Sequence, residues 1–219
     1  MKNVRVYFSK KAQAKYISHL DLMRCMVRCI KKAGIPVWFT EGFNPHMYIT
    51  FALPLSLGYE GECESFDIKL TDDGYSMDEI LDRLKNVMPV GISVLSVSEK
   101  FMSASSIGFG EYEVNFSLKN LDDEICGFME KFLSQESIEV EKKSKKKIKQ
   151  IDIKPFMQIK KIVYDKNSCT MCVTLPAGGS GNVNPGLIQT AFENFLGHGI
   201  NSIKVRRTGI LTKQWEKFI

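Results

Sequence analysis

The chain lays out short alternating strands and amphipathic helices in one order, and then lays them out in that order again. Residues 4–9 (VRVYFS) alternate apolar and polar side chains, the period of a half-buried strand. Ser18-His19-Leu20-Asp21 reads as a capping box, with Ser18 at the N-cap and the Asp21 carboxylate three residues on. Met23, Met26, Val27 and Ile30 then recur at helical spacing, and Gly34 with Pro36 ends the helix. Residues 37–40 and 48–53 are extended runs on either side of a turn at Gly42-Phe43-Asn44-Pro45. Residues 65–70 alternate again, 76–87 form an amphipathic helix, and 91–97 (GISVLSV) form a strand.

Residues 103–110 (SASSIGFG) are small and loop-like and mark a boundary. Beyond them, strands are expected at 112–118, 148–153, 157–164, 169–175 and 203–210, and helices at 122–133 and 184–196. Element order repeats, although the residues do not. The order β-α-β-β-α-β is the split βαβ pattern. The sequence therefore predicts an α+β protein of two tandem ferredoxin-like (βαββαβ) domains with an elaborated central hairpin. One domain spans 1–102, the linker 103–110, and the second domain 111–219.

A hydrophobic fraction of 44% and a charged fraction of 25% suit an ordinary globular chain of this length. No apolar run approaches the ~20 residues of a membrane span, and the opening MKNVRVYFSKK lacks a signal-peptide core. A cytoplasmic protein with no membrane partner is expected. The formal net charge of +5 is unevenly spread. Residues 1–32 hold nine basic side chains and one acid, and residues 33–137 hold six basic and eighteen acidic ones. Residues 138–166 carry ten lysines against four acids. Folding that gathers the two basic segments would suit a polyanion, whereas dispersal would leave them as solvated surfaces.

Six cysteines occur, at 25, 29, 63, 126, 169 and 172. Cytoplasmic thiols stay reduced, so the even count is not a disulfide framework. Cys169-Thr170-Met171-Cys172 has the spacing of half a zinc site, but positions three apart in a strand point to opposite faces. No second pair completes a tetrahedral set, so the cysteines are read as structural and no metal is expected.

Four segments concentrate chemistry. Tyr16, Ser18, His19 and Asp21 crowd a helix start, where exposed amides and the dipole favour anions and a neutral imidazole. Glu41, Asn44 and His46 lie on a turn within reach of a ligand, and with His19 they would make a pocket if helix and turn lie side by side. Gly178-Gly179-Ser180-Gly181 feeds the Asn184-Pro185 helix start, a generic anion cradle that is neither a Walker motif nor a dinucleotide fingerprint. Lys142, Lys143, Lys145, Lys146 and Lys147, with Phe156 and Tyr164 beyond, combine cations for phosphates with rings for bases. Each also has an ordinary structural reading, as a cap, a turn, a connection or a solvated run.

The stretches YISHLDLMR (16–24) and GIPVWFTEGFNPHMYITFALPLSLG (34–58) together resemble the bacterial radical SAM-linked proteins. That family is found fused to, or encoded beside, a radical S-adenosylmethionine protein. The resemblance implies a radical SAM partner that carries the S-adenosylmethionine and the iron–sulfur cluster, and no cofactor in this chain. Charge map and family context together make the leading expectation a non-catalytic adaptor. It would present structured RNA, tRNA or rRNA rather than DNA, to the modifying enzyme. Arg24, Arg28 and the 142–147 lysines would hold phosphates.

Two alternatives stand beside it. One is a metal-independent endoribonuclease resembling the CRISPR repeat-processing proteins, with His19 deprotonating a 2′-hydroxyl. The other is a protein-only scaffold that docks the radical SAM partner directly.

Overall fold

Three apolar side chains at alternate positions of one strand organise the first part of the molecule. In the computed structural model, which describes residues 1–117, 125–144, 147–165, 168–179 and 181–219, Val4, Val6 and Phe8 of β1 (Asn3–Lys10) are fully buried. The chain divides into two units, Met1–Ile107 with Lys217–Ile219, and Gly108–Glu216. The division falls inside 103–110, but that stretch is regular. Ser103 caps a 3-10 turn at Ala104–Ser106, and a strand begins at Ile107.

In the first unit β1 lies between β3 (Glu60–Lys69) and β4 (Ile92–Glu99), antiparallel to both. The short β2 (Ile49–Phe51) pairs antiparallel with β3, setting Ile49 opposite Ile68 and Phe51 opposite Phe66. Helix α1 (His19–Lys32) begins as the capping box predicts, with Ser18 Oγ accepting from the Asp21 amide. It ends in a Schellman arrangement. Gly34 takes φ +65, and the amides of Gly34 and Ile35 donate to Lys31 and Ile30. Helix α2 (Met77–Lys85) is capped likewise by Ser76. Leu22, Met26 and Ile30 of α1 and Ile80 and Leu84 of α2 join Val4, Val6, Phe8, Phe66 and Ile68 in one core. Both helices therefore cover the same face of the strands. Residues 37–40 depart from the expected strand. Pro36, Gly42 and Pro45 interrupt the ladder, leaving isolated bridges Val37–Leu70 and Phe39–Met47.

The second unit has β5 (Ile107–Ser117), α3 (Ile125–Ser134), β6 (Glu139–Ser144), β7 (Lys147–Asp152), β8 (Gln158–Asp165), β9 (Ser168–Pro176), α4 (Gly186–Leu196) and β10 (Ser202–Thr212). Strands run in the order β10-β5-β9-β8, with β5–β9 and β8–β9 antiparallel. Val114, Phe116, Met171 and Val173 face Met129 and Phe132 of α3 and Phe192 of α4 in a buried core, the Phe132 and Phe192 rings meeting edge to face at 5.2 Å. Lys142 and Lys143 lie in β6 and Lys147 in β7, not in the strands of the main sheet. These two strands pair antiparallel as a separate β6–β7 hairpin that precedes β8 in the chain. Ile138 and Val140 are buried at its base, while Glu139 and Glu141 alternate outward. The molecule is thus α+β, largely antiparallel, with four α-helices among the described residues, and no helix is long and apolar enough to cross a membrane.

Candidate functional site

Arg24, Arg28 and Lys31 recur at three- and four-residue spacing, so α1 presents them along one exposed line. Met23 and Val27 lie beside them, turned partly toward the strands. These side chains form one wall of a groove of about 680 Å³, whose other wall is Phe39, Pro45, His46, Met47 and Ile49. The backbone holds the second wall in place. Thr40 N–H donates to His46 O at 2.8 Å, and Tyr48 N–H donates to Trp38 O at 2.9 Å.

His46 is fixed within that turn. Its Nδ1 lies 3.2 Å from Asn44 O and 2.9 Å from Thr40 Oγ1, and its amide donates to the same Thr40 hydroxyl. A carbonyl only accepts, so the proton belongs on Nδ1, and Nε2 is the acceptor of the neutral ring. Lys31 holds its ammonium 5.7 Å from the Phe39 ring centroid. Arg24 donates to Asp21 at 3.0 Å, whereas Arg28 is exposed and reaches Asp21 only through its charge.

The Asp21 carboxylate is committed to the helix start. It accepts from Ser18 Oγ at 2.7 Å and from Arg24, and the Ser18 hydrogen bond, followed by the Arg24 contact, holds its pKa below the usual carboxylate range. His19, at the first helical position, packs its ring edgewise on Phe51 with centroids 5.1 Å apart. It does not line the groove that His46 lines. The structure thus brings Arg24, Arg28 and His46 together, and places Ser18 and Asp21 in the cap and His19 against β2. Tyr16, Glu41 and Asn44 are exposed nearby, with the Lys15 ammonium 5.3 Å from the Tyr16 ring.

Sequence reasoning missed Phe39, Met47 and Ile49. Phe39 and Met47 flank the turn symmetrically, and treating 40–46 as a closed hairpin would have paired them.

In the second unit Lys142 donates to Asn182 O at 2.6 Å, Lys143 and Lys147 sit in β6 and β7, and Lys145 and Lys146 lie outside the described residues. Of the glycine-rich loop, Ser180 also lies outside them. Gly178 has φ +93, and Gly179 and Gly181 are open to solvent around their Cα atoms. The helix start beyond is closed by Asn184, whose Oδ1 accepts from Gly186 N at 2.8 Å. A concavity of about 760 Å³ borders this loop, lined among others by Glu139, Glu141, Gln150, Asn184 and Asn194. Lys142 lines it too, so the two carboxylates face one cation across the concavity. Cys169 and Cys172 point to opposite sides of β9, none of the six cysteines is disulfide-bonded, and no cluster of three metal-ligating groups occurs among the described residues.

Residues 3–185 match the family model described as "Uncharacterized protein conserved in bacteria (DUF2344)". The chain belongs to that family. No curated protein matches the chain. Among solved structures it is similar to a chain of the crystal structure of a Cbf5-Nop10-Gar1 complex, at 10% identity and a TM-score of 0.52, over 98% of this chain. This member of the DUF2344 family spans about half of that chain, 50% of its length. At such identity the likeness concerns fold alone.

Proposed function

We propose that the chain binds structured RNA through the groove between α1 and the 39–49 segment, as a non-catalytic adaptor. The observation that carries this reading is the line of Arg24, Arg28 and Lys31 along one groove, with Arg28 exposed. Spaced cations on a rigid helix suit a phosphate backbone, and an exposed guanidinium can present its donor fork to a phosphate. His19 packs edgewise on Phe51, outside the groove that carries the cations, so the reading rests on binding in that groove rather than on strand cleavage at His19. The radical SAM enzyme as recipient of the RNA rests on the resemblance of the SHLD and GFNPH segments. We read each unit as ferredoxin-like, on the strength of β1 between β3 and β4 in the first and the order β10-β5-β9-β8 in the second.

Titration of labelled structured RNA across several salt concentrations tests the reading. Affinity should fall log-linearly with salt at a slope of several phosphates, and Arg28→Gln with Lys31→Gln should reduce that slope by about two. Salt-independent binding overturns it, and no binding at low salt overturns it and leaves the protein-only scaffold or a small-ligand pocket.

A further inference from the structure

The groove is not uniformly polar. Its rim is cationic, from Arg24, Arg28 and Lys31, but its floor is made of Met23, Val27, Met47 and Ile49. Met47 is 5% exposed, so it is anchored in the core and does not swing out with the ligand. Phe39 closes one side at 43% exposure, with the Lys31 ammonium near its ring. His46 closes another, its plane fixed by the two contacts at Nδ1. At the tip of the same turn Phe43 is 106% exposed and contributes no burial to the fold. Such a volume lies in the range of small-ligand sites, which are mostly apolar with a few placed polar groups.

A paired helix cannot use such a floor. It offers phosphates and sugars outward and keeps its base faces stacked inside, so only the rim would be satisfied. A flipped or looped-out nucleotide offers both surfaces at once, an apolar ring face and an adjoining phosphate. Resting on the RNA reading above, we infer that the groove's occupant is a single unpaired nucleotide. Its base lies over the Met47–Ile49 floor against Phe39, its phosphate is held by Arg28, and His46 Nε2 reads an edge. The adaptor therefore selects loops, bulges or extruded bases over duplex.

The experiment compares three RNAs of equal length and charge, namely an unpaired oligonucleotide, a perfect duplex and a stem-loop, against the full chain and its variants. The unpaired and stem-loop RNAs should bind at least tenfold tighter than the duplex. Phe39→Ala should weaken unpaired RNA by about tenfold without changing the salt slope, and Phe39→Tyr should restore it. Adenosine monophosphate should compete where inorganic phosphate at the same concentration does not.

Equal affinity for duplex and unpaired RNA, with Phe39→Ala silent, overturns the inference while the RNA reading survives. No RNA binding at low salt overturns both, and an acidic peptide or anionic vesicle binding instead would assign the groove to another occupant.

Discussion

Arg5 of β1 and Asp67 of β3 stand opposite each other in register and form a bidentate ion pair at 2.7 and 3.0 Å, with side chains 0% and 3% exposed. They occupy the strand face away from the helices. The Arg5 guanidinium also donates to Met102 O and Ile219 O, and the Phe218 ring lies 4.4 Å from it. Lys100 adds a second cation to Asp67 at 2.9 Å. Burial disfavours the Arg5 cation, but the Asp67 hydrogen bonds and charge outweigh it and raise its pKa above the ordinary value. Asp67→Asn strands this cation in the interior and should cost about 3–5 kcal/mol. Arg5→Met with Asp67→Leu should cost less, because the only cation it leaves without its Asp67 partner is Lys100, whose side chain is 30% exposed. Urea unfolding of the three proteins checks both, and a double variant no better than the single one refutes the account.

Asp21 links the cap to pH. Its folded pKa is depressed, chiefly by Ser18 and then by Arg24, so its contribution is present above the unfolded carboxylate value and is lost as pH falls through the folded one. The window lies below about pH 4. An NMR titration should place Asp21 below the other exposed carboxylates. Ser18→Ala should raise it more than Arg24→Ala does, and should cost about 1 kcal/mol as a lost N-cap.

Gly34 ends α1 at φ +65, a conformation an L side chain rarely adopts. There is room around it, the nearest atom to an added Cβ being Arg83 Nη1 at 3.5 Å. Strain alone should therefore set the penalty of Gly34→Ala at about 1 kcal/mol. Thermal unfolding measures it, and a neutral outcome would mean that the turn relaxes.

Thiol chemistry separates the cysteines. Burial, with Cys25 second, pushes Cys29 up to about 11, and burial, with Cys126 second, pushes Cys169 up to about 12. Neither forms thiolate at pH 8, and both lie within the cores. Iodoacetamide should spare these two in the native protein and reach them only in denaturant, as read by peptide mass spectrometry.

Local grammar made most of this fold legible. The Ser18–Asp21 box, the Gly34 stop, the Val4-Val6-Phe8 alternation and the opposed faces of Cys169 and Cys172 all depend on neighbours a few residues away, where periodicity and capping act. The β6 strand was hidden because Glu139-Val140-Glu141-Lys142 follows no long apolar run, and its pairing with β7 depends on a partner chosen by tertiary context. The groove was half visible. The cationic line of α1 is written in the helix period, but its floor required knowing that Phe39 and Met47 pair and that β2 lies beside α1. Spacing alone could not say that Asp21 would be absorbed by Ser18 and Arg24, nor that His19 would meet Phe51.

The inserted hairpin yields the last expectation. Its attachment to the second unit runs through Ile138 and Val140, 3% and 2% exposed, through the Asp152 carboxylate that accepts from the Ile138 and Lys154 amides, and through Lys142 on Asn182 O. Val140→Asp puts an unpaired charge at the buried base of the hairpin and should release it while leaving the β10-β5-β9-β8 strands paired. Trypsin should then cut at Lys142 and Lys149 at least tenfold faster than in the parent chain, because opened backbone fits the protease and a paired ladder does not. Val140→Ile keeps the apolar contact and should leave the cleavage rate unchanged. If Val140→Asp instead unfolds the whole unit, the hairpin is part of its cooperative core rather than an appended element.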